Sequence, residues 1–157
     1  MSLWKKVKSV KNMVTGGAAE LDLEITSEPL LGERFTVLVT AQIKQAELNA
    51  KAVYLKIRST ERIYAKGVEI EYEEGEREVE ETIVEKNTVT FQDTLTIDIS
   101  EPLKEGQVCE WEFEVSLPSD LNGTYDGTHA WHDYDMLAGL DAPGNDSDTK
   151  WLRFEIY

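Results

Sequence analysis

From Ala19 onward the chain alternates apolar and polar residues with a period of two, and this pattern limits its fold more than any other feature. A strand sends successive side chains to opposite faces, whereas the apolar stripe of a helix returns about every 3.6 residues. Leu21, Leu23 and Ile25 alternate with Glu20, Asp22 and Glu24, and Phe35, Val37 and Val39 open a run that closes at Ile43. Val53, Leu55 and Ile57 alternate with Tyr54, Lys56 and Arg58; Val68, Ile70 and Tyr72 alternate with Glu69, Glu71 and Glu73. Val89, Phe91, Leu95, Ile97 and Ile99 mark a long strand, Cys109 to Leu117 another, and Leu152, Phe154 and Ile156 a last one. Pro29 and Gly32, Pro102 and Gly106, Pro118 and Gly123, and Pro143-Gly144-Asn145-Asp146 supply turns between them. Glu73-Glu74-Gly75-Glu76 reads as a hairpin tip. About eight strands without a long internal helix predict an all-β, antiparallel sandwich.

The opening residues follow a different period. Leu3, Val7, Val10 and Val14 recur at helical spacing, Trp4 stands beside the stripe, and Thr15-Gly16-Gly17 breaks it. Residues 1–18 are therefore expected to form a short basic amphipathic helix and a glycine linker ahead of a domain at 19–157. Trp4, Lys5, Lys6, Lys8 and Lys11 would suit a helix lying on an anionic membrane surface. The competing expectation is that Trp4 and the valines cap the domain's own core.

The 157 residues carry 16 Lys and Arg against 31 Asp and Glu, a net charge of −15. Such a balance speaks against binding nucleic acid, which clustered cations neutralise. It favours solubility or a basic partner. At 41% hydrophobic residues, the chain can bury one core without a disulfide or structural metal, and Cys109 is its single cysteine. A reducing, cytoplasmic setting is expected, with peripheral contact at the inner membrane face as the variant. No apolar run is long enough to cross a membrane, and lysines interrupt the stretch where a secretory leader would lie.

The order of segments resembles the arrestin-like superfamily, and within it the bacterial sporulation-control protein family. The resemblance runs through AELDLEITSEPLLGERFTVLVTAQI, AVYLKIRSTERIY, GQVCEWEFEVSLPSDL and HAWHDYDMLAGLDAPGNDSDTKWLRFEI, together nearly all of residues 19–157. It implies a single immunoglobulin-like, arrestin-like β-sandwich doing scaffold or adaptor work without a cofactor. Two departures stand out. The acidic stretch at 66–85 is long for that region, and one domain excludes a bilobal mechanism.

Four residue groups carry candidate functions. Lys66 to Glu85 holds nine Glu against Lys66 and Arg77, so Glu69, Glu71 and Glu73 are expected either to dock a basic partner or to guard a strand edge against aggregation. Tyr54, Lys56 and Arg58 form a basic-aromatic stripe suited to an acidic partner or a peptide carboxylate. An open edge strand could also take a partner strand or build a homodimer. His129, Asp133 and Asp135 fall on one face of a strand that also carries Trp131, a weak pattern for a transition metal and for a metal-dependent hydrolase. His132, Tyr134, Met136, Ala138 and Leu140 fall on the other face, toward the expected core. Cys109 sits on a core-facing register and reads as packing, and no nucleophile-base-orienter set can be assembled. The expectation is a non-enzymatic protein-interaction module, with a membrane-associating module as the alternative.

Overall fold

The computed structural model describes the backbone of residues 9–12, and residues 18–144 and 147–157. Among these residues there are twelve strands and no helix. In chain order they are β1 (Ser9–Asn12), β2 (Ala19–Ile25), β3 (Arg34–Ile43), β4 (Glu47–Leu48), β5 (Ala52–Glu73) and β6 (Glu76–Asp98). They continue as β7 (Leu103–Lys104), β8 (Val108–Ser116), β9 (Tyr125–Asp126), β10 (Ala130–Asp141), β11 (Ser147–Asp148) and β12 (Leu152–Phe154). One sheet runs β1-β2-β3-β8; the other runs β11-β10-β5-β6, with β9 and β12 also pairing along β10. β4 and β7 form a small separate ladder.

The two large sheets face each other through the apolar halves of their alternations. Leu21, Leu23, Ile25, Val37, Val39 and Val115 from one sheet are buried with Val53, Leu55, Ile57, Met136, Ala138 and Leu140 from the other. Phe35, Tyr134 and Phe154 meet in the middle, with Phe154 5.8 Å from Tyr134 and 6.2 Å from Phe35, centroid to centroid. Such tilted pairs add to the burial of the rings themselves. The end of the chain is stitched down: Thr124 N–H donates to Ile156 O (2.7 Å), Ile156 N–H donates to Thr124 Oγ1 (2.9 Å), and Leu31 N–H donates to Tyr157 O (3.0 Å).

The expected N-terminal helix is corrected over residues 9–12. These form a strand whose Ser9 faces Glu24 and whose Asn12 faces Leu21 on β2. A helix of fourteen residues gains little on its own, whereas a strand here satisfies the open N–H and C=O groups along β2. The rest of that helix, residues 1–8 and 13–14, lies outside the described residues.

The alternating runs at 53–57 and 68–72 belong to a single strand. β5 and β6 pair in register from Ala52↔Asp98 to Glu73↔Glu76 and turn at Glu74-Gly75. Both turn residues have positive φ, 51° and 85°, which matches the right-handed twist of two strands joined by a two-residue loop. β10 runs beside β5 only from Ala52 to Ile63. Beyond Ile63 the hairpin leaves the sandwich and projects by about 30 Å, at the ordinary rise of a strand. The register shifts between Ser59 and Thr60, where β6 carries Thr90 as an extra residue. A bulge of this kind sharpens the twist and re-aims the strands at the root of the arm.

Body and arm should respond differently to truncation. Leu55→Ala, at a fully buried site, is expected to lower stability by about 2 to 5 kcal/mol. Val84→Ala, at a site 53% exposed on the arm, should change it by no more than about 0.5 kcal/mol. Urea denaturation of the two variants checks the contrast.

Candidate interaction site

The arm has two unlike faces, because residues facing each other across an antiparallel pair point the same way. On one face the register places Glu69 opposite Glu80, Glu71 opposite Glu78 and Glu73 opposite Glu76. All six are exposed. Like charges set directly opposite each other destabilise a ladder, so this face is held at a cost that a bound cation would relieve. Glu69, Glu71 and Glu73 are thus joined by Glu76, Glu78 and Glu80, whose place in one array follows only once β6 is paired with β5.

The other face carries Tyr64, Val68, Ile70, Tyr72, Val79 and Ile83, each between 42% and 74% exposed. Here the apolar phase has inverted. In the body the odd positions Val53, Leu55 and Ile57 are buried, whereas on the arm the even positions Val68, Ile70 and Tyr72 are apolar and the odd positions Glu69, Glu71 and Glu73 acidic. The carboxylate ladder therefore continues the core-facing register of β5, and the apolar row continues its outward register. The change of parity between Ile57 and Val68 is visible in the sequence and marks where the strand leaves the core.

At the root of the arm lies a part-buried polar chain. His132 Nδ1–H donates to Gly123 O (3.0 Å), and Nε2 lies 2.7 Å from the Thr90 hydroxyl. Thr90 Oγ1 in turn lies 2.7 Å from Ser59 Oγ. Tyr134 donates to Asn122 O and meets the His132 ring edge-on at 5.1 Å. Burial pushes the Tyr134 phenol upward, partly offset by its hydrogen bond with Ser59. Ser59, His132 and Tyr134 are all buried. They lock the bulge from which the arm departs.

Asp133 and Asp135 face arginines. Asp133 pairs with Arg62 (2.9 Å) and Arg153 (3.5 Å), and Asp135 with Arg153 (3.2 Å). Burial disfavours the Arg153 charge, but the hydrogen bond to Asp135 and the charges of Asp135 and Asp133 outweigh it and hold its pKa above the ordinary value. His129 lies just outside β10, and its backbone carbonyl accepts from Tyr64 N–H (2.9 Å). Among the described residues no three His, Cys, Asp or Glu side chains are grouped as metal ligands.

Of the basic-aromatic stripe, Tyr54 is buried with its ring across Gly139, where a Cβ would fall 2.3 Å from it. Lys56 is exposed with Nζ 5.3 Å from that ring, and the Arg58 guanidinium stacks 3.8 Å over Trp151. Cys109 is half-buried against the core, and desolvation raises its thiol pKa, which makes it a poorer nucleophile. Trp4, Lys5, Lys6 and Lys8 lie outside the described residues, and of Lys11 only the backbone in β1 is described. Among the described residues no helix is long and apolar enough to cross a membrane.

No protein-family model and no curated protein matches this chain. Among solved structures it is similar to Spo0M, a sporulation control protein from Bacillus subtilis, with 16% identity and a TM-score of 0.56. The match covers 89% of this chain and 49% of that one, so the chain spans about half the length of the protein it resembles. The likeness shows the fold alone: a β-sandwich like that of Spo0M, in keeping with the segment order.

Two results are expected from these contacts. His132→Phe removes both ring hydrogen bonds from a buried site and should cost about 1 to 3 kcal/mol, read by urea denaturation. Zinc or EDTA should leave the melting temperature unchanged, because arginines already compensate Asp133 and Asp135; a rise with stoichiometric zinc contradicts this.

Proposed function

We propose that the chain is a non-enzymatic protein-interaction module whose docking element is the β5–β6 arm, and that the carboxylate ladder receives a basic segment of a protein partner. The observation that carries this reading is the set of three facing Glu pairs on a hairpin that stands clear of the sandwich. Edge protection alone would need scattered charges along a strand, not carboxylates matched across both strands of one face. A lysine-rich partner adds opposite charge where repulsion is greatest, steers its own encounter, and stays sensitive to salt. The rigid body beneath holds the root of the arm through the β5–β10 ladder, so the ladder is presented on a fixed base.

The test is a titration of the full chain with a synthetic peptide of alternating Lys and Val. Binding should weaken by about tenfold in the double variant Glu71→Gln/Glu78→Gln. It should weaken little in Glu110→Gln/Glu112→Gln, a change of equal charge on the exposed face of β8. Equal loss in both would mean that only the net charge acts, and would contradict the proposal. The same double variant should slow hydrogen exchange of the arm amides, since the facing repulsion is gone.

A further inference from the structure

The apolar face of the arm lies opposite the carboxylate ladder and needs a different occupant. Tyr64, Val68, Ile70, Tyr72, Val79 and Ile83 are exposed together on one side of a two-stranded ribbon. Their exposed area amounts to roughly 600 Å², at the upper end of the largest apolar patch on an ordinary monomer. Isolated two-stranded hairpins are marginal in water, and an uncovered apolar face adds an aggregation liability. Within the described chain the inverted apolar phase cannot serve the core, because these positions continue the outward register of β5.

We infer that this face is the contact between two copies of the chain, arm packed on arm about a two-fold axis. Charge decides among the occupants. The charged residues on this face are Lys66, Arg77, Glu81 and Glu85, two of each sign. Lys66 and Glu81 already meet at 3.2 Å, with side chains 51% and 61% exposed. A face with balanced charge suits a copy of itself, since a two-fold axis brings each residue against the same surface. A strongly basic partner is drawn to the opposite face. An anionic membrane is repelled by six carboxylates one ribbon-thickness away, within a Debye length. Two such faces would bury roughly 1,200 Å² of apolar surface, enough for a specific interface. The packing also leaves both carboxylate ladders outward, so the dimer would present two at once. This inference stands apart from the proposed role of the ladder, because it rests on the opposite face.

Sedimentation equilibrium of the full chain over about 1 to 100 µM tests it. The expected result is a dimer of the 17.8 kDa chain. Ile70→Glu, at the centre of the face, should raise the dissociation constant at least about tenfold. Tyr72→Glu, at a site 74% exposed near the tip, should do the same and guards against misfolding of the first variant. Glu71→Gln, on the ladder face, should not loosen the dimer. A parent chain that stays monomeric throughout overturns the inference. So does a dimer that survives both apolar-face variants at parental affinity, or one that Glu71→Gln loosens as much as they do.

Discussion

The antiparallel ladder between β5 and β10, from Ala52↔Asp141 to Ile63↔Ala130, is the constraint on which the rest of the structure depends. It joins the longest hairpin to the strand that also pairs with β9, β11 and β12, and so fixes one whole sheet of the sandwich. Its inward side chains fill the core against β2, β3 and β8. Where the ladder ends, the core ends, and the hairpin continues for another ten residues per strand with no further strand paired to it among the described residues. What the arm can do follows from that ending, because positions that would be buried in the body are in water there.

The Ser59–Thr90–His132 chain, buried at Ser59 and His132 and exposed at Thr90, sits at this boundary. Each hydroxyl and ring nitrogen in it has a partner, and a satisfied polar network favours one arrangement over its alternatives. Here it holds the bulge and sets the departure angle of the arm. Of the metal pattern His129, Asp133 and Asp135, the two carboxylates pair with Arg62 and Arg153, while His129 lies just outside β10. His132, on the opposite parity, faces inward to the root of the arm.

Much of the fold was legible. Alternation placed β2, β3, β8 and the inward register of His132, Tyr134, Met136, Ala138 and Leu140, and Glu74-Gly75 announced the hairpin turn. The segment order implied a sporulation-control-like sandwich, and the likeness to Spo0M bears out that fold. Less of the site could be read. The single length of β5 was hidden because the apolar phase inverts inside it, so one strand resembled two. The facing of Glu71 with Glu78 depends on register, which composition does not set. Tyr54 looked displayed by parity, yet its ring fills the space above Gly139. Helical spacing over residues 9–12 lost to the open edge of β2, a tertiary demand that local periodicity does not contain.

The central claim is that the body folds without the arm. Replacing residues 66–83 with Asn-Gly tests it most directly. Ala65 and Val84 face each other in register, as Glu73 and Glu76 do around the natural turn, and both pairs lie an even number of residues apart along β5. The shortened chain therefore keeps its strand pairing with a favourable two-residue loop. Thermal denaturation should give a cooperative transition within about 4 °C of the parent. A chain that loses cooperative unfolding, or melts more than about 10 °C lower, would show that the arm belongs to the core and would contradict the account.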